Sequence, residues 1–188
     1  DQADGLRRLF AAGRRQRVVP VAFNAHADCT AILLERLAGA FSELGANTLV
    51  VDAADSAPRA NNISEVDLAA AIEPLSDTLS YLAARGLPLR HVNTRGSCEA
   101  WLTAVEQAAP QADVLLVHAN ARDLVRLLGR REARPVLVTS LEPDSLTDAY
   151  TSMKLLAQRS GLMTFDLLTG MTGAPKAAQR VAERLADC

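Results

Sequence analysis

The sequence predicts a three-layer α/β fold, with helices on both faces of a mostly parallel sheet of about six or seven strands. Two observations carry that expectation. Short runs such as Val114-Leu115-Leu116-Val117 and Val136-Leu137-Val138 are apolar at every position. Strands buried on both faces read this way, because neither side of the pleat meets water. These runs also alternate with amphipathic segments of helical period, the order that parallel strands joined by right-handed crossovers require.

The elements follow in chain order. Leu6–Ala12 continues a short N-terminal helix, and Arg14, Arg15 and Arg17 separate it from a first strand over Val18–Phe23. A helix follows, with Ile32, Leu33, Leu34, Leu37, Phe41 and Leu44 as a wide apolar face, and Gly45 stops it. Thr48–Val51 forms the next strand, ending at Asp52, and residues 53–62 are loop by composition. Two short helices are expected between Ser64 and Arg85, broken near Pro74, then a strand over Leu89–Val92 and a helix over Ser97–Ala109. After the two Val/Leu strands come a helix over Ser145–Arg159, a strand over Thr164–Leu168 and a last helix over Pro175–Ala186.

Composition narrows the classes. The chain has 188 residues, 49% of them apolar and only 4% aromatic, so the expected core is aliphatic and the chain is not disordered. A net charge of −2 gives no general attraction to nucleic acid or anionic lipid. No apolar run reaches the roughly 20 residues of a membrane-spanning helix, and no secretory signal opens the chain, so a cytoplasmic location is expected. Cys29, Cys98 and Cys188 are widely spaced without a CxxC pair, which fits reduced thiols and no structural metal.

In parallel α/β sheets ligands gather outside the carboxyl ends of the strands. Those ends hold Asn24–Thr30, Asp52, His118–Asn120 and Thr139–Asp144. The first, NAHADCT, joins a strand to a helix, the place where a phosphate-binding loop would sit, yet it has neither glycine nor lysine. Such loops need glycines so that backbone N–H groups can approach phosphate, and a lysine to neutralise it.

The run PVLVTSLEPDSLTDAYTSMKLLAQRSG, residues 135–161, resembles the MinD/ParA family of deviant-Walker ATPases, whose fold is P-loop NTPase-like. Pro143 fixes the turn there, and Thr147 and Asp148 are expected to place oxygens and negative charge in the first turn of the helix. The opening DQADGLRRLF is similar to the DQAxxLR element of the FlhG (FleN) branch, which regulates flagellar number and placement. In that branch the element is a helix that docks on the SRP-type GTPase FlhF and stimulates it, the glutamine reaching toward the nucleotide. The resemblance therefore implies two parts: a partner-binding helix over 1–13, through Asp1, Gln2, Ala3, Leu6 and Arg7, and a degenerate MinD-like domain over 17–188. Arg7, Arg8, Arg14, Arg15 and Arg17 make this end basic, which would speed docking on an acidic partner.

Carried over position by position, the family's nucleotide site is not retained. Ala25 stands at the signature lysine, His26 and Ala27 at two glycines, Cys29 at the third, Thr30 at the P-loop lysine and Ala31 at the magnesium-binding threonine. Asp52 keeps the first acid of the Asp-x-Asp motif, but Ala54 replaces the second. His118 stands at the Walker B aspartate, and Gly170 near the adenine-reading asparagine. The resemblance thus implies a vestigial pocket of Ala25, His26, Thr30, Asp52 and His118, no ATP or magnesium cofactor, no metal, no catalysis of its own and a monomeric chain. The last helix, mixed in charge, has too little apolar surface to anchor to a membrane.

Alternatives stay open at this point. His26, Cys29, Asp52 and His118 could make a replacement metal site, and Cys29 with His26 or His118 a nucleophile pair. At the level of function, the first reading is a non-hydrolysing FlhG-like regulator that binds FlhF and can be recruited to the cell pole or flagellar base. The others are a pseudo-ATPase scaffold that binds a flagellar transcription regulator or another component through its body, and an ATPase with an unusual P-loop.

Overall fold

The computed structural model describes residues 16–59 and 67–170, together with Gln179, Glu183 and Leu185. The expected N-terminal helix, with Asp1, Gln2, Ala3, Leu6 and Arg7, lies outside the described residues, as does most of the expected last helix.

In chain order the elements are β1 (Arg17–Ala22), α1 (Thr30–Glu43), β2 (Thr48–Asp52), α2 (Leu68–Ala71), β3 (Glu73–Pro74), β4 (Leu79–Ala83) and α3 (Leu87–Arg90). They continue with α4 (Glu99–Ala108), β5 (Val114–Ala119), α5 (Ala121–Leu128), β6 (Val136–Thr139), α6 (Pro143–Ser160) and β7 (Asp166–Thr169). The strands form one seven-stranded sheet in the order β3-β4-β2-β5-β1-β6-β7. Among the described residues only the β3–β4 pairing is antiparallel. This is the expected architecture, with an antiparallel edge strand added.

Two apolar layers show how the sequence produces it. Leu49, Val51, Leu115 and Val117 point to one face, where Trp101, Leu102 and Val105 of α4, Leu124, Leu127 and Leu128 of α5 and Leu156 of α6 cover them. Val50, Val114, Leu116, Val136 and Val138 point to the other, under Leu33, Leu34 and Ala38 of α1. The period of two along each strand sends alternate side chains to opposite layers. Each fully buried leucine contributes about 1.5–3 kcal/mol by leaving water. Pairing of β1 with β6 begins only at Val21, one residue past Pro20, which has no N–H to donate.

Four expectations are corrected. Residues 79–83 form β4 and not a helix: its backbone pairs with β2 from Thr48↔Leu79 to Asp52↔Ala83. Among the described residues of that region only Leu68–Ala71 is helical, capped by Asp67, whose carboxylate accepts from the Ala69 and Ala70 amides. The strand expected over Leu89–Val92 is not formed: Leu87–Arg90 make a single helical turn entered through Gly86 at φ 75°, a left-handed conformation suited to glycine, and 91–92 lie in turn and loop. The buried face of α1 is narrower than expected, because Ile32 and Leu44 are exposed while Leu33, Leu34 and Ala38 carry the packing. Finally, α5 is an additional helix between the two Val/Leu strands, with Asn120 as its N-cap accepting from the Asp123 amide at 2.9 Å.

Candidate functional site

Asn24, directly after β1, organises the carboxyl edge of the sheet. Its side chain is 3% exposed. The Nδ2 group donates to the Val138 carbonyl at 2.8 Å and the Ser145 carbonyl at 2.9 Å, and lies 3.1 Å from Ser145 Oγ. The Oδ1 atom accepts from the His26 amide at 3.0 Å. Ser145 is itself fully buried, and its Oγ accepts from the Ser140 amide at 2.9 Å. One polar knot therefore joins the end of β1, the end of β6 and the start of α6.

The loop after Asn24 is closed by its own hydrogen bonds. The Ala25 amide donates to Asp148 Oδ2 at 3.0 Å, the His26 amide to Asn24 Oδ1, the Ala27 amide to the Asn24 carbonyl at 3.3 Å and the Thr30 amide to the Ala27 carbonyl at 3.1 Å. Thr30 Oγ1 also donates to the Ala27 carbonyl, at 2.6 Å. A phosphate cradle needs its amides turned outward and free. Here four are engaged, one of them by a carboxylate. This corrects the expectation for the first turn of α6. The helix starts at Pro143, Asp144 supplies its acidic first turn, Thr147 Oγ1 donates back to the Pro143 carbonyl, and Asp148 serves the β1–α1 loop.

On the other side of the edge, the parallel register sets Asp52 beside His118. His118 is 2% exposed, and its Nδ1 lies 2.9 Å from Asp52 Oδ1. The Tyr81 hydroxyl donates to Asp52 Oδ2 at 3.1 Å, and the Ala54 amide to Oδ1 at 3.4 Å. Phe23 meets the His118 ring edge-on, with centroids 5.7 Å apart. A carboxylate only accepts, so the Nδ1 atom carries the proton of the Asp52–His118 bond. Burial first, and then the charge of Asp52 and the hydrogen bond to it, push the Tyr81 phenol above its ordinary range, with Glu73 adding a smaller push.

That shift has a signed consequence. A folded-state value above the unfolded one means stability present in full below about pH 10 and lost as pH rises through the raised folded value. Tyrosinate absorbance is expected to show one of the two tyrosines of the chain ionising late. In Tyr81→Phe that late step should vanish and alkaline stability should fall less steeply. Two tyrosines ionising together in the ordinary range would contradict the Tyr81–Asp52 bond.

The remaining sequence candidates divide. Ala25 and His26 are exposed at the loop tip, and Thr30 is buried beneath it. Thr30, Asp52 and His118 line one cleft. Cys29 turns elsewhere: a Cβ built on Gly170 would overlap its Sγ, so the thiol fills the space a side chain at 170 would need. No hydrogen bond joins Cys29 to His26 or His118 among the described residues. Among those residues no group of three His, Cys, Asp or Glu side chains is placed to hold a metal ion. Cys29 and Cys98 are free thiols. Sequence reasoning placed Asn24 at a strand end without giving it a role, and missed Tyr81, which it put in a helix, and Ser145, whose polar side chain at a helix start was the available signal.

Comparison with known proteins places this geometry. The sequence matches no family model and no curated protein. Solved structures do match. The MinC:MinD cell division protein complex of Aquifex aeolicus aligns over 91% of this chain and 76% of its own, at 15% identity and a TM-score of 0.62. Cobyrinic acid a,c-diamide synthase from Mycobacterium smegmatis, with bound ADP and magnesium, aligns over 92% and 82%, at 16% and 0.64. Apo McdA from Cyanthece aligns over 92% and 82%, at 12% and 0.66. The fold is MinD/ParA-like. On that MinD/ParA-like frame the Asn24–Thr30 loop joins the interior strand β1, which lies between β5 and β6, to α1. No helix among the described residues is long and apolar enough to cross a membrane.

Proposed function

We propose that this chain is a non-hydrolysing, FlhG-like regulator of flagellar assembly or placement. It binds an FlhF-type SRP GTPase through residues 1–13 and stimulates GTP hydrolysis in trans. The observation that carries the non-hydrolysing part is the loop on the MinD/ParA-like frame: it lacks glycine and lysine, and Asp148 takes the Ala25 amide. The Gly170 position supports the same reading, since Cys29 occupies the space of a side chain there. The partner is carried by sequence, through the DQADGLRRLF resemblance, with Gln2 as the residue that orients the attacking water. That MinD was solved in a complex with MinC supports a protein partner for a body of this fold. The site of action is cytoplasmic, at the cell pole or flagellar base.

The test is GTP hydrolysis by purified FlhF with and without the full chain. Stimulation is expected, and Gln2→Ala is expected to abolish it while circular dichroism stays unchanged. Equal rates with and without the chain would refute the proposal. Calorimetry with ATP and magnesium is expected to show no binding. Micromolar affinity, or dimerisation on adding ATP, would restore the reading as an ATPase with an unusual loop.

A further inference from the structure

Between Ala84 and Cys98 the chain carries one sign of charge. The stretch ARGLPLRHVNTRGSC has three arginines, a histidine and no carboxylate, in a chain whose acids outnumber its lysines and arginines by 22 to 20. Arg85, Arg90, His91 and Arg95 are all exposed. Arg59 joins them from the loop after β2, opposite Arg85 in a parallel bridge. Neighbouring strands stand about 5 Å apart, so two like charges in register repel one another. A hydrogen bond of 3.4 Å from Arg85 Nη1 to the Ala57 carbonyl ties Arg85 to that loop.

The surface is held in shape by its own backbone. Asn93 Oδ1 accepts from the Arg95 amide at 2.9 Å and the Ser97 amide at 3.0 Å, and the Gly96 amide closes on the Asn93 carbonyl at 2.9 Å. The Cys98 amide anchors the end of this turn on the Arg126 carbonyl of α5 at 2.8 Å. Leu87 and Pro88 bury the inner side of α3, while Leu89 and Val92 stay 47% and 39% exposed among the arginines. The neighbouring carboxylates do little to neutralise the patch. Asp52 is taken by His118 and Tyr81, Asp123 by Arg126 and Asn120, and Glu99 lies against Gly129 at the far end of α5. Asp55, exposed in the loop before Arg59, offsets one charge.

We propose that this face docks an acidic segment of a partner protein, with carboxylates on Arg59, Arg85 and Arg95 and aliphatic side chains on Leu89 and Val92. Every cation of the patch apart from His91 is an arginine, whose planar fork takes a carboxylate through two hydrogen bonds. A carboxylate between Arg59 and Arg85 also relieves their repulsion. A lipid surface is the poorer fit, because two aliphatic side chains are too little apolar area to hold a protein on a bilayer. A nucleic acid is poorer still, since it gives Leu89 and Val92 nothing to cover and the stretch offers no aromatic ring for base stacking. Docking here does not depend on whether residues 1–13 engage a GTPase.

Two synthetic peptides make the discriminating pair: Glu-Glu-Leu repeated three times, and the same peptide with serine for leucine. The full chain is titrated with each while its backbone amide resonances are followed. The leucine peptide is expected to bind about tenfold more tightly, and to shift amides of residues 85–97. The double variant Arg85→Ala/Arg95→Ala, altered only at exposed positions, should weaken it about tenfold, whereas Arg159→Ala, an exposed arginine on α6, should leave it unchanged. Equal affinities for the two peptides, shifts confined to the basic residues 1–15, or equal losses in the double variant and Arg159→Ala would each overturn the proposal. So would tighter binding, with the same amides shifting, of phosphatidylserine vesicles or of duplex DNA.

Discussion

An Asn24→Ala variant is expected to lose about 2–4 kcal/mol in urea unfolding, with the m-value unchanged. The side chain removed is 3% exposed, and its Nδ2 group serves two carbonyls, those of Val138 and Ser145, both on buried residues. Alanine leaves those acceptors, and the His26 amide that bonded Oδ1, without their partner. Buried polar groups left unpaired cost more than the bond itself contributed, and so the expected loss exceeds that of an ordinary surface hydrogen bond. Asn24→Asp separates shape from bonding: it keeps the volume but sets a carboxylate against two carbonyl oxygens, and should be at least as damaging. A loss within about 0.5 kcal/mol, the range of neutral surface changes, would show that the knot does not hold the edge together.

The second large effect lies on the opposite layer. Leu124→Ala is expected to cost about 2–5 kcal/mol, from lost transfer energy and an unfilled cavity. Leu124 is fully buried in α5 among residues of α4, α6 and the sheet. Leu124→Met, close in volume, should cost less than about 1.5 kcal/mol, and the exposed neighbour Arg122→Ala less than about 0.5 kcal/mol. Thermal or urea unfolding of the three variants gives the ranking. Similar losses for Leu124→Ala and Arg122→Ala would mean that α5 frays from the sheet instead of sealing it.

That helix also shows where sequence reading reached its limit. The strands β2, β5 and β6 were legible because valine and leucine fill both faces of a covered sheet. The segment ARDLVRLL is short, and its arginines and aspartate dilute the apolar signal, although Leu124, Leu127 and Leu128 keep helical spacing. The stretch LSYLA went wrong for the opposite reason. Leu79 and Leu82 sit three apart, which suits a helix, but the backbone pairing offered by β2 decided the outcome. Such tertiary choices are not written in local periodicity. The site was legible to the same degree: adjacent strand ends bring Asp52 and His118 together, whereas Tyr81 joins them only because 79–83 is a strand.

The two-residue strand β3 has a consequence for how the protein behaves in a crowded solution. Among the described residues it is the last strand on its side of the sheet, and its outer flank pairs with no other strand there. Long edges of that kind recruit strands from other molecules. Here the flank is only Glu73 and Pro74: a charge, then a residue with no N–H to offer. A second copy that tried to extend the sheet at this flank would find almost no ladder to continue. On this side the described sheet is terminated against self-association by two residues.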